Sequence, residues 1–382
     1  MEAAARSSSP ATDEGGRDGR IETAAGVRSR YALAPAARPA TFGISAPVGM
    51  AANPGGYSPR MQIPQPRGPL TEELFGALRA GSDDFYPVLA VGASEGEDAA
   101  LALWALHELH YRGFDEVRDD LEWDPQLVRL RGLLERDLEQ RLWERFTPPV
   151  GLSFVEDFFG WVAEQDGASV ATHVQRDADR EQVLELLRVR SIYHLKESDP
   201  AAWVVPRLGV RAKAALMELQ YDEYGGGDPN RLHHHLFAQG MEASGLAASY
   251  GAHVDEVPLE VLEQNNAMSL FGLHRRLRGA ALGHLAAFEA TSSLPSRRMV
   301  QGLERLGFPE EVVAYYAEHV EADAVHEQLA VRTICGGLLA EEPGLEEDVW
   351  FGAFTCLDLE DRFAGTMLER WGVGEERKEE VA

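Results

Sequence analysis

PEEVVAYYAEHVEADAVHEQLAVRTIC, residues 309–335, decides how the rest of the chain is read. At about 100° per residue, positions i, i+4 and i+7 share one face of a helix. His319, Asp323 and His326 occupy those positions, so a helix here aims two imidazoles and a carboxylate the same way. Helical bundles build metal sites from inward-facing Glu, Asp and His, and a carboxylate-x-x-His pair is one of their devices. Asp323-Ala324-Val325-His326 is such a pair. Taken alone, the segment also fits a solvated face with ordinary charges.

Outward from this stretch the pattern stays helical. Amphipathic runs cover 71–81, 98–114, 125–146, 155–165, 179–197, 206–224, 229–245, 258–291 and 343–371. Thr71 reads as the cap of the first and Gly81 as its end. No stretch alternates apolar and polar residues as a half-buried strand does. The expected architecture is an all-α bundle. Residues 1–69 are rich in Ala, Ser, Gly and Pro without a sustained period, and read as a disordered tail. The remaining division is a helical part over 70–170, a core over 171–373 and a charged tail over 374–382.

The formal net charge is -27, which argues against a general nucleic-acid binder, since phosphate contacts need clustered Lys and Arg. Arg275-Arg276 and Arg297-Arg298 are short clusters among apolar residues and read as local ion-pair or anion contacts. Two cysteines without CxxC spacing imply no disulfide framework, so a reducing cytoplasm is the expected location. No apolar run approaches the roughly 20 residues needed to span a bilayer.

Three further segments carry isolated acids and histidines. In GAALGHLAAFEATSSLP, residues 279–295, one acid, Glu289, stands among small apolar residues. Such a carboxylate is costly unless paired, metal-bound or snorkelling to a helix end. Gly279, Gly283 and Ala287 share a face that lets another helix come close, while His284 falls off the Glu289 face and reads as a core histidine. In MELQYDEYGGGDPNRLHHHLF, residues 217–237, acids at 218, 222 and 223 end one helix and histidines at 233–235 begin the next. Asp228-Pro229 look like the cap and first residue of that second helix. Three consecutive histidines cannot all face inward. In YHLKESDPAAWVVPRL, residues 193–208, Glu197 is an unremarkable helix-end acid on its own.

Together the pieces resemble the haem-oxygenase-like di-iron oxidases and oxygenases, a family also described as iron-containing redox enzymes. The residues that carry the resemblance are Glu197, Glu223, His233, Glu289, His319, Asp323 and His326, in that order. The family pattern is a Glu, a Glu followed ten residues later by His, a distant Glu, and His-x3-Asp-x2-His. The phrases HLKESDP, ELQYDEYGGGDP, HLAAFEATSSLP and HVEADAVHEQLA are also similar to the group's, over roughly residues 70–371. The resemblance implies a seven-helix haem-oxygenase-like bundle, here with extra N-terminal helices. It selects Glu223 over Glu218 and Asp222, and His233 over His234 and His235.

The resemblance further implies two non-haem Fe(II) ions held by those seven residues, with O2 as co-substrate meeting the irons as a bridging peroxide. Glu223, His233 and His319 would serve one ion and Glu197 and His326 the other, with Glu289 and Asp323 shared. The expected activity is oxidation of a small organic substrate, an amine or amino acid, by N-oxygenation or C–C cleavage. It implies an external electron donor, with a homodimer as one assembly, while the acidic charge and the lack of a long apolar run leave no nucleic-acid or membrane partner expected. Tyr221, Tyr224, Phe288 and Arg297 lie near ligands in sequence and are candidates to line the substrate pocket, with plain core or surface as the bland reading. Competing readings are a haem oxygenase or cofactorless oxidase of the same fold, and an iron-binding helical protein without turnover. A ferritin-like cage fits less well, because no second carboxylate-x-x-His pair is found.

Overall fold

In a computed structural model of the chain, the described residues are 61–92, 95–165 and 167–373, less the side chains of 321–325. The tails expected over 1–60 and 374–382 lie outside them. Residues 61–69, expected to belong to the tail, are packed. Met61 and Ile63 are buried, and Met61 forms an isolated bridge with Phe114. The Gln65 N–H donates to Asp255 Oδ1 at 2.9 Å. Two apolar residues among prolines have no period, so local pattern could not mark this segment as ordered.

The helices follow in chain order: α1 Pro69–Arg79, α2 Gly96–Glu108, α3 Pro125–Arg145, α4 Phe154–Ala163, α5 Val170–Arg176 and α6 Arg180–His194. Then come α7 Val210–Glu223, α8 His233–Ala243, α9 Leu259–Leu273, α10 Arg278–Arg305, α11 Glu310–Gln328 and α12 Glu346–Arg370. Short helices at Tyr86–Ala90, Asp199–Ala202 and Gly336–Glu341 are left unnumbered, and a π-helical stretch, Leu329–Cys335, continues α11. Among the described residues there is no strand, in keeping with the all-α expectation. Nor is any described helix long and apolar enough to cross a membrane.

Local chemistry explains several starts. Asp124 Oδ1 accepts from the N–H groups of Gln126 and Leu127 at 2.9 and 3.1 Å, with Pro125 at the first helical position of α3. Asp179 and Gln182 form a capping box on α6. Elsewhere the caps are not local. Thr71 is not the cap of α1, which starts two residues earlier. Asp98 of α2 accepts the N–H groups of Leu70 and Thr71 at 3.0 and 2.9 Å. Asp228 and Pro229 do not open α8 either. The Asp228 side chain accepts from the Asn230 N–H at 2.9 Å, closing a turn of its own, and the helix starts at His233.

The stretch expected over 258–291 is two helices, and the second, α10, runs on through Pro295 to Arg305. Glu289 is therefore mid-helix, only 5% exposed, with no helix end within reach. The close approach read from Gly279 and Gly283 is realised against α12. A Cβ at Gly283 would overlap the Val349 carbonyl, and one at Gly352 of α12 would overlap the Ala280 carbonyl. The two backbones touch, with α11 and α5 also packed on α10.

The N-terminal helices are bonded to the core. Lys196 Nζ, in the turn after α6, lies 2.6 Å from Glu108 Oε1 of α2, with both side chains buried. The Tyr250 hydroxyl donates to the same oxygen at 2.8 Å. The ammonium also sits over the Tyr111 ring, 4.1 Å from its centroid.

Candidate metal centre

Six of the seven residues expected as ligands converge, and they form two groups. Glu197, His233 and His319 make one; Glu223, Glu289 and His326 make the other. Within each group the three ligand atoms lie within 4.8 Å of one another. Asp323 lies outside the described side chains. The grouping differs from the expected sorting, which put Glu223 with His233 and His319, and Glu197 with His326. Glu197 and Glu223 exchange places because each leaves its helix end in a direction that spacing does not encode.

Glu197 shows how. Three residues beyond α6, it has φ 29, the one described non-glycine residue with positive φ. That conformation costs on the order of 1 kcal/mol in an L-residue, and such strain gathers at functional sites. It leaves the carboxylate within reach of α11. The Tyr315 hydroxyl lies 2.8 Å from Glu197 Oε1 and 2.7 Å from His194 Nδ1. Burial favours the neutral acid, yet hydrogen bonding from His194, then from His319 when its Nε2 carries a proton, holds Glu197 below the usual carboxylate range.

His319 is oriented by its own helix. Its Nδ1 lies 2.8 Å from the Tyr315 carbonyl, one turn back. A neutral ring donating there has its lone pair on Nε2, and Nε2 lies 3.3 Å from Glu197 Oε1. A lone pair facing a carboxylate oxygen calls for a cation between them. Histidine ligands in metal sites are held this way, the second nitrogen donating to a carbonyl or carboxylate.

Glu223 joins the groups. Its Oε2 lies 3.3 Å from His233 Nδ1, and its Oε1 lies 3.7 Å from His326 Nδ1. Ser198 Oγ donates to Oε2 at 2.8 Å. In the second group, His326 Nδ1 lies 3.5 Å from Glu289 Oε2, while its Nε2 faces Asp222 Oδ2 at 3.4 Å. Burial opposes the charged form of His326, but the Glu289 carboxylate beside it, then the charge of Glu223, raise its pKa to about 9. For His233, burial is likewise outweighed by Glu223, and the pKa rises.

These side chains fit a bound metal. Glu197 Oε2, His233 Nδ1 and His326 Nδ1 are buried atoms without a hydrogen-bond partner. Buried polar atoms are rarely left so, and three of the twelve among the described residues belong to the two groups. The cavity between them, about 60 Å³, is lined by Glu197, Glu223, Glu289 and His319, and no Lys or Arg among the described residues lines it. Mixed imidazole and carboxylate donors suit iron, and less distinctively manganese or zinc.

His284, expected in the core, is buried at the edge of this cavity, where burial lowers its pKa to about 4. Of the four pocket candidates only Phe288 lines it. Tyr221 and Arg297 are exposed, and the Tyr224 hydroxyl donates to Asp199 Oδ1 at 2.8 Å. Sequence reasoning missed Tyr315, His194, Ser198 and Asp222 as supporting residues. Tyr315 had a signal, standing one turn before His319; the others depend on chain crossings.

No curated protein matches the sequence. Residues 184–361 match a family model described as iron-containing redox enzyme, and all six converging residues fall inside that span. With an all-α bundle and two groups of buried carboxylates and imidazoles, residues 184–361 are similar to the iron-containing redox enzyme family, whose fold is haem-oxygenase-like.

Proposed function

We propose that this protein binds two Fe(II) ions, one in each group, and uses O2 to oxidise a small organic substrate, an amine or amino acid. The observation that carries the reading is Glu223. It belongs to one group and reaches the histidine of the other, which is how a shared carboxylate behaves in a paired-metal site. Bound iron would supply the electrons and the open positions that O2 chemistry needs.

The chain's own residues have definite work. Glu197, Glu223 and Glu289 supply negative charge that favours the oxidised metal; His233, His319 and His326 donate without adding charge. Tyr315 and Ser198 hold Glu197 and Glu223 in place by hydrogen bonds of 2.8 Å each. Phe288 and Tyr193 close one side of the cavity and keep water out. Oxygenation at nitrogen and cleavage at carbon both start from this site, and an external donor would restore Fe(II).

Iron per chain after anaerobic Fe(II) loading, then O2 uptake, tests the reading. Close to two irons with O2 uptake in wild type, and close to one in Glu289→Ala, is the expected result. Background iron in wild type would sink it. Two irons with no O2 uptake across a panel of amines and amino acids would favour iron storage without turnover.

A further inference from the structure

The metal cavity, about 60 Å³, has room for small ligands but is well below the roughly 150 Å³ of a cavity that takes even benzene. Beside it lies a second cavity of about 560 Å³, between α5, α6, α10 and α12. That volume is in the range of sites for drug-sized ligands. The two cavities share Tyr193 and Phe288, whose rings are 5.1 Å apart and form the partition between them. Phe288 directly precedes Glu289 in α10.

The lining states what the larger cavity can hold. Its walls are mostly apolar, with Met299, Phe354, Leu357 and Phe363 among them. Arg190 is the one Lys or Arg in the described lining, and it is fully engaged. It makes a two-pronged ion pair with Glu360, with Nη1 to Oε1 at 2.7 Å, and lies over the Phe363 ring at 4.0 Å. Asp358 and Asp361 add two more acids. Asp358 is paired with Arg145 at 2.8 Å. Asp361 is exposed at the rim, where its Oδ1 accepts the Ala168 N–H at 2.9 Å. A carboxylate or phosphate entering here finds no cation to pair with, and burying it unpaired is costly. An ammonium group finds an acidic rim.

We infer that this cavity is the chamber for the organic substrate, and that it takes an amine with an apolar body and no carboxylate. The ammonium sits at the Asp361 rim, and the apolar end rests against Tyr193 and Phe288, next to the metal groups. This rests on the reading of the smaller cavity as the oxidising centre. It narrows that reading by excluding free amino acids and placing carbon, not the ammonium nitrogen, nearest the metals.

Calorimetric titration of the metal-free full chain tests the chamber without relying on iron. The probes are butylamine, hexylamine, hexanoate, phenethylamine and phenylalanine. Expected are binding of hexylamine and phenethylamine at least tenfold tighter than hexanoate and phenylalanine, and roughly tenfold tightening from butylamine to hexylamine, as about 0.8 kcal/mol per buried methylene requires. Ala171→Phe and Met299→Trp fill the chamber and should each weaken hexylamine at least tenfold, with iron loading unchanged. Hexanoate or phenylalanine binding as tightly as its amine partner, no amine binding, or no effect of either filled variant in folded protein would overturn the inference. Should both variants misfold, the comparison of amine with carboxylate in wild type decides alone. Amine binding without iron loading would leave the chamber standing and remove the redox reading; iron loading without amine binding would do the reverse.

Discussion

Glu223 reaches His233 across the gap between the two ligand groups, Oε2 to Nδ1 at 3.3 Å. The same carboxylate is one of the three donors of the other group. A residue placed so would serve both of the proposed ions. Glu223→Ala should therefore lower bound iron below one per chain, whereas Glu289→Ala should leave close to one. Metal analysis after desalting reads the difference. Equal losses in the two variants would mean that Glu223 belongs to one ion alone.

Tyr315 would act on the proposed metal through Glu197. Its hydroxyl, which burial keeps protonated, bonds Glu197 and His194. Outer partners of metal ligands are typically worth about 10- to 100-fold in affinity. Tyr315→Phe should weaken one of two Co(II) binding events by that much, leaving the other unchanged in a titration followed by visible absorbance. Equal weakening of both events would instead indicate a general loosening of the bundle.

Lys196 and Glu108 form a buried ion pair between the turn that carries Glu197 and helix α2, which lies outside the family-matched span. Removing one partner leaves a buried charge alone, which typically costs about 3–5 kcal/mol. Lys196→Met should lower thermal stability sharply, and Lys196→Met combined with Glu108→Met should recover much of the loss. A double variant no better than the single one would mean that the penalty is not electrostatic.

His284 makes stability depend on pH. Burial lowers its folded pKa to about 4, against 6.5 for the ordinary side chain. Between those values the unfolded chain binds the extra proton, so stability rises with pH across the window and is lost on acidification. The full effect is about 3 kcal/mol by linkage. Urea unfolding of wild type and His284→Phe between pH 4 and 7 should show a slope smaller by close to one proton in the variant. Parallel curves would remove His284 from the pH response.

Much of the bundle was legible because helices announce themselves by a local period. The α11 stretch placed His319 and His326 on one face, and both reach the cavity groups. The small residues of α10 announced a close helix contact, met by the Val349 carbonyl. What could not be read depends on partners far along the chain. The cap on α1 comes from Asp98, and Met61 is ordered by Phe114. Glu197 looked like any solvated helix-end acid until the ordered set drew it in.

By itself, the sequence determined which side chains are available: a helical chain with buried acids and histidines at ligand spacing, in the order of a known family. Periodicity and composition are local, and they suffice for that. The tertiary structure alone decided how those side chains combine. The positive φ of Glu197 and the packing of α8 on α11 put Glu197 beside His319 and left Glu223 between two histidines. The second cavity is likewise made by surfaces of four helices, whose facing residues share no sequence pattern. Distance between ligand atoms is a property of packed helices, and no spacing along one helix can supply it.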